Sequence, residues 1–308
     1  MMADLAVNLA GIRLRNPVLA ASGTFGYGRE YAAVVPLDQI GGVITKGTSL
    51  EAWTGNPPPR TVETAAGMLN AIGLENPGLK HLVEADLPWL ASQGATVVVN
   101  VVGRTVDEYV AVAEALDARP AVAGLELNVS CPNVDKGGMA FGVHPESAYA
   151  LVRAVRKRTR LPLLVKLTPN VTDIVRIAEQ VRDAGADGLS AVNTLVGMAI
   201  DIHCRRPVLG NATGGLSGPA IKPVALAAVW RLARVGLPIL GGGGISFWQD
   251  AVEFLMAGAT AVAVGTATFV RPRAMLEIAQ GMEEYLKCQG IERITDLVGA
   301  ANPGARTG

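Results

Sequence analysis

The chain is 308 residues long, 50% hydrophobic and 18% charged, which rules out a disordered protein and supplies apolar side chains for a large core. Lys and Arg together number 27, as do Asp and Glu, so the bulk attraction that a nucleic-acid or anionic-membrane binder would use is absent. The length fits either two domains of about 150 residues or one (β/α)8 TIM barrel of roughly 250 with additions.

In chain order, residues 5–8 and 12–14 with Ala10-Gly11 between them read as a small hairpin within the N-terminal segment 1–16, suited to plugging the bottom of a barrel. Eight short runs rich in Val, Ile, Leu and Ala follow, at 17–21, 42–46, 96–102, 124–128, 163–167, 188–192, 238–241 and 260–265. Amphipathic helical patterns over 106–116, 145–158, 171–183, 219–234 and 246–256 separate them. Continuous apolar strands alternating with helices argue for a parallel sheet covered by helices, and eight units is the number that closes a barrel. An open doubly wound sheet would show Gly-x-Gly-x-x-Gly after its first strand. The segment Ser22-Gly23-Thr24-Phe25-Gly26-Tyr27-Gly28 lacks that spacing.

Residues 53–79, with Pro57-Pro58-Pro59, read as a long irregular insertion after the second strand, of the kind that often carries function. No linker, repeat or charge block divides the sequence, so one domain over 1–308 is expected, with a frayed tail at 302–308. No run of about 18 apolar residues and no signal-peptide layout occur, so a cytoplasmic protein with no membrane span is expected.

In such a barrel the active site lies at the C-terminal ends of the strands, and the polar residues that end each run form one set. They are Ser22, Lys46, Asn100, Asn128 with Cys131, Lys166, Asn193 with Thr194, Gly243-Gly244 and Gly265-Thr266. Any one of them is ordinarily a turn residue or a cap; six strands ending in donors at one mouth are hard to explain that way. Gly241 to Ile245, followed by Gly265-Thr266, matches the phosphate cradle of the last two strands, where bare backbone N–H groups approach phosphate oxygens.

The three Cys, at 131, 204 and 288, are too few and too scattered for a disulfide framework or a zinc pair, so reduced thiols are expected. Cys131 follows the fourth strand in Asn128-Val129-Ser130-Cys131-Pro132-Asn133 and is expected to face a ligand, beside a mobile loop at 135–138. Cys204 and Cys288 are read as inert packed thiols. His81, His144 and His203 have no partner at ligand spacing, and no metal is expected.

Through Ala21 to Gly26, Thr45 to Thr48, Gly67 to Gly78, Asn128 to Gly142 and Gly241 to Ile245, the sequence resembles the class 1B dihydroorotate dehydrogenase catalytic subunits over essentially its whole length. The resemblance implies an FMN-dependent barrel enzyme of pyrimidine biosynthesis that oxidises dihydroorotate to orotate. It implies that Ser22, Lys46, Gly47, Asn100, Asn128, Lys166, Val192, Gly218, Gly243, Gly244, Ile245, Gly265, Thr266 and Ala267 surround one FMN. Lys46, Asn70, Ala71, Ile72, Gly73, Leu74, Asn128, Asn133, Asn193 and Thr194 would hold the pyrimidine. Amides suit orotate, which presents carbonyl acceptors and N–H donors on one edge, and Lys46 supplies the charge for its carboxylate.

On the same resemblance Cys131 is the base for the C5 proton, FMN accepts the C6 hydride, and Lys166 stabilises negative charge on the reduced ring. FAD and a [2Fe–2S] cluster are expected only on a partner subunit that passes electrons to NAD, in a heterotetramer of two plus two built on a catalytic homodimer. Other readings stand beside this one: a fumarate-using class 1A homodimer, a pyrimidine-reducing relative, a non-catalytic flavin relay, and a thiolate-nucleophile barrel acting on a nucleotide.

Overall fold

The computed structural model describes residues 3–130, 132–133 and 139–305. Eight parallel strands close into a barrel in chain order: β1 Val18–Ala20, β2 Gly42–Ile44, β3 Val97–Val101, β4 Gly124–Asn128, β5 Leu163–Leu167, β6 Gly188–Ala191, β7 Ile239–Gly242 and β8 Ala261–Val264, with β8 pairing back to β1. Every residue of β1, β3 and β4 is buried, as a strand covered on one side by the barrel interior and on the other by helices requires. All eight expected runs are present. Most are a residue or two shorter than the apolar patterns, losing residues at one or both ends where the chain leaves the ladder.

The N-terminal hairpin pairs Val7–Leu9 with Ile12–Leu14. Its two-residue turn needs positive φ at both positions, which Ala10 and Gly11 adopt at 54° and 93°, and the Asn8 side chain accepts the Gly11 N–H at 2.7 Å. A Cβ on Gly124 would fall 2.6 Å from Ile12 Cδ1, and one on Gly188 would fall 3.1 Å from Ala10 Cβ. These glycines open β4 and β6, so the hairpin seals the N-terminal end of the barrel and leaves the other end for chemistry.

Helices Val106–Asp117, Pro145–Arg156, Ile174–Asp183, Lys222–Leu232 and Trp248–Ala257 cover the outside. The third starts later than its periodicity predicts because Asp173 is its N-cap, accepting from Val175 N–H at 3.1 Å. A further long helix, Ala274–Gln289, follows β8 and ends at Gly290 with φ 68°. No helix among the described residues is long and apolar enough to cross a membrane.

Three expectations need correction. The insertion at 53–79 is not irregular: Thr61–Thr64 and Gly67–Asn70 form a hairpin that joins Thr213–Ser217 and Leu195–Met198 in a four-stranded antiparallel sheet over the barrel mouth. Asn70 is opposite Gly215, 145 positions later, and pairing across that distance leaves no local pattern to read. The tail does not fray at Asn302, which is 4% exposed and donates to the carbonyls of Trp230 and Ala257, both at 2.9 Å. Pro303–Ala305 forms a 3-10 turn, and 306–308 lie outside the described residues. Cys204 and Cys288 are exposed rather than packed, one in a surface turn and one near a helix end.

Candidate active site

A cavity of about 760 Å³ opens at the C-terminal ends of the strands, a size suited to a cofactor or small-molecule site. All the residues expected around FMN and the pyrimidine line it, with two exceptions. Cys131 lies outside the described residues, as does the expected loop 135–138. Asn133 is described only as backbone, paired with Met139, and its side chain lies outside.

The floor is polar and closed on itself. Asn100 on β3 and Glu126 on β4 are register partners, as are Asn128 on β4 and Lys166 on β5. Side chains in this layer converge: Asn100 Nδ2 donates to Glu126 Oε1 at 2.6 Å, Lys166 Nζ lies 3.6 Å from the same oxygen, and Nζ also donates to Ser22 Oγ at 2.9 Å. A Cβ on Gly47 would come within 3.2 Å of Asn100 Oδ1 and 2.9 Å of Val102, so glycine is required for the chain to pass here.

One wall is built of amides. Asn193, just beyond β6, donates through Nδ2 to Asn128 Oδ1 at 3.2 Å and to Ser130 Oγ at 3.0 Å. Its Oδ1 accepts the Thr194 N–H at 2.9 Å. Asn170 fixes the next stretch, donating to Thr194 O at 2.9 Å and accepting from Val196 N–H at 3.0 Å. Behind Asn128, the Tyr109 hydroxyl donates to its carbonyl at 2.6 Å.

The loop 70–74 is presented from the other side and pinned at its back. Asn56 bonds Ile72 O through its N–H at 3.0 Å and Ala71 O through its side chain at 3.1 Å. Arg60 pairs with Glu75 and donates to Thr54 O at 2.9 Å, while Ala71 N–H donates to Arg60 O at 2.7 Å. Gly73 has φ 74° and its Cβ would strike Asn56 N at 2.5 Å, so no larger residue fits. Lys46 lines the same cavity, and its Nζ makes no hydrogen bond or ion pair among the described residues. A cation that faces a cavity with no counter-ion among the described residues can receive a carboxylate or phosphate.

The glycine-rich end is shaped by packing. Gly243 and Gly244 have φ 124° and 83°; a Cβ on Gly244 would lie 2.7 Å from Lys222 N, and one on Gly243 2.8 Å from Ala225 Cβ. Glycine is therefore needed because the start of helix Lys222–Leu232 presses against the turn from outside. The N–H groups of Gly244 and Ile245 meet no acceptor among the described residues and remain for an anion. Lys222 itself points away, to Asp250 at 2.8 Å and Glu253 at 3.0 Å, and Asp250 in turn accepts the N–H groups of Ser246 and Phe247 at 2.8 and 2.9 Å. Burial alone would raise the Asp250 carboxyl, but the hydrogen bonds from Lys222, Ser246 and Phe247 outweigh it and hold the group below the usual carboxylate range. The hydrogen bond to Asp250 likewise raises Lys222.

Sequence reasoning missed Ser130, Asn170, Ser217 and Glu126. Ser217, whose Oγ accepts from Thr266 Oγ1 at 2.8 Å, belongs to the sheet over the mouth and carries no local signal. Glu126 did have one: it is a charged residue in the middle of an otherwise apolar strand.

A family model described as Dihydroorotate dehydrogenase matches residues 4–286. The curated protein named "Dihydroorotate dehydrogenase B (NAD(+)), catalytic subunit" from Pelobacter propionicus is 56% identical over 301 residues, 97% of this chain and 99% of that protein. Proteins of the same name from Geobacter metallireducens and Geobacter sulfurreducens are 56% and 55% identical over 298 residues, each alignment covering 96% of this chain and 98% of the relative.

Proposed function

The chain belongs to the dihydroorotate dehydrogenase family, and on that premise we propose that it is the catalytic subunit of an FMN-dependent, NAD-linked dihydroorotate dehydrogenase of pyrimidine synthesis. The observation that carries the reading is the one shared cavity in which Lys46, a cation with no ion pair among the described residues, lies on the same walls as Asn70, Asn128 and Asn193. A pyrimidine carboxylate presents one negative group and an edge of alternating donors and acceptors, which is the complement of that set.

The rest of the cavity fits FMN. Gly243, Gly244 and Ile245 offer backbone donors to a phosphate, and Ser22, Asn100 and Lys166 form a polar floor for the ring's heteroatoms. Bound FMN would supply the two-electron acceptor that oxidation of a carbon–carbon single bond needs. Lys46 would hold the carboxylate. Asn128, whose Oδ1 is already occupied by Asn193 and by Ser130 N–H, would turn its Nδ2 to a ligand carbonyl. Cys131, three residues past Asn128, would remove the C5 proton; a free thiol has a pKa of about 8.5, so a thiolate population near neutral pH is what its surroundings must provide. Lys166 would offset negative charge gained by the ring.

The electron acceptor beyond the flavin is read as NAD, reached through a partner subunit carrying FAD and a [2Fe–2S] cluster. The relatives' name, catalytic subunit, supports a partner. A catalytic homodimer within a two-plus-two assembly is supported by the exposed apolar side chains Val196, Met198, Ile200 and Ile202 on one excursion from the barrel, which solvent would disfavour.

The test is anaerobic mixing of the purified yellow protein with dihydroorotate. Loss of the flavin absorbance with one orotate formed per flavin is expected. A protein that takes up FMN yet is not bleached would overturn the reading.

A further inference from the structure

Glu126 is completely buried inside the barrel, and the substrate-binding and proton-transfer roles described above do not use it. One of its oxygens, Oε1, accepts from Asn100 Nδ2 and pairs with the Lys166 ammonium at 3.6 Å, while the other, Oε2, is buried with no hydrogen-bond partner among the described residues. A carboxylate in this condition is costly, because desolvating a charge is expensive and apolar residues could fill the same space. Its two partners are both cavity-lining residues: Lys166 is 13% exposed, toward the cavity, and Asn100 is 1% exposed.

We propose that Glu126 is a positioning residue for the cofactor site: it fixes the Lys166 ammonium and the Asn100 carboxamide from beneath, and its charge sets how much of the lysine's positive potential reaches the cofactor ring. The inference rests on the reading that FMN occupies this cavity with Lys166 beside it.

Two consequences follow from the geometry. With Nδ2 held by Glu126, Asn100 turns Oδ1 toward Gly47 and the cavity, so it presents an acceptor to a ring N–H. Lys166, held between Glu126 and Ser22, presents to the cavity the positive end of an ion pair rather than an isolated charge. Inside a protein, where water screens poorly, cancelling one member of that pair changes the field felt by a neighbouring ring. Reduction of the ring adds negative charge, so a field made more positive favours the reduced form.

Glu126→Gln keeps the shape and an acceptor oxygen for both partners but removes the charge. The affinity ratio for reduced over oxidised FMN should rise at least tenfold, which for a two-electron couple is an upward move in midpoint potential of about 30 mV, read by dye equilibration. Glu126→Asp keeps the charge and should return the potential toward wild type. Should Glu126→Gln fail to fold, Lys166→Met tests the same field with the opposite sign, and the potential should fall. An unmoved or lowered potential in Glu126→Gln, an equal shift in Glu126→Asp, or an unmoved potential in Lys166→Met overturns the proposal. A wild-type chain that takes up no FMN sinks the cofactor reading and this inference with it; FMN uptake with an unmoved potential sinks this inference alone.

Discussion

Asn193 Nδ2 lies 3.2 Å from Asn128 Oδ1, joining the ends of strands β6 and β4 across the mouth of the barrel. Both Asn193 amide hydrogens are then used within the protein, on Asn128 and Ser130, and among the described residues the donors of the pair left free belong to Asn128. Asn128→Asp preserves the acceptor for Asn193 and Ser130 N–H but replaces the ligand-facing NH2 by an oxygen. Orotate or FMN affinity, followed by flavin absorbance changes, should fall about 10–100-fold, the worth of a buried hydrogen bond to a polar ligand. Unchanged affinity for both would show that this amide does not face a ligand.

Lys46 Nζ has no hydrogen bond or ion pair among the described residues, so its removal should cost binding rather than fold. Lys46→Met is expected to weaken orotate about 10–100-fold, with some loss of flavin retention, while the thermal midpoint moves little. A large drop in midpoint with intact orotate affinity would make this lysine structural.

The Lys222–Asp250 pair behind the glycine turn gives a pH signature. Asp250 is depressed in the folded state, so its stabilisation is fully present above the unfolded value of about 4 and is lost as pH falls through the folded value. Lys222 is raised, so its share persists up to about pH 10 and is lost only above that. Asp250→Asn should therefore be less stable than wild type by about 1–3 kcal/mol across the neutral range, the gap closing in acid, and should hold FMN less tightly. Denaturant unfolding between pH 3 and 8 reads this directly; a gap that persists undiminished in acid would remove the ion pair as its source.

Cys131→Ser should retain FMN and bind orotate while oxidising dihydroorotate about 10²–10⁴-fold more slowly near neutral pH, because a serine hydroxyl is a far poorer base. Stopped-flow flavin reduction isolates this step from later electron transfer. Wild-type reduction rates in the variant would take Cys131 out of the mechanism.

Electron exit is tested by the isolated chain, which should reduce artificial dyes with dihydroorotate but form NADH only when a flavin- and iron–sulfur-containing partner is added. Sustained NADH formation by the chain alone would refute the partner, and brisk transfer to fumarate would favour a self-sufficient homodimer.

The barrel and most of its mouth were legible in the sequence for one physical reason. A strand buried on both faces is mostly apolar, so a polar residue near its end stands out, and closing eight such strands brings those ends together whatever the helices do. That is why Ser22, Lys46, Asn100, Lys166 and Asn193, far apart in the chain, stand out in the sequence as one group, and they line one cavity. The hairpin at Ala10-Gly11 was legible because its turn chemistry is local. What only the tertiary structure decided depends on partners distant in sequence. The sheet over the mouth needs Asn70 to meet Gly215, Asn302 is tied down by the carbonyls of Trp230 and Ala257, and Gly244 is fixed by the close passage of Lys222. Glu126 sits between the two cases: its place in strand β4 is written in the sequence, but its role depends on Asn100 and Lys166 reaching one of its oxygens from the strands on either side.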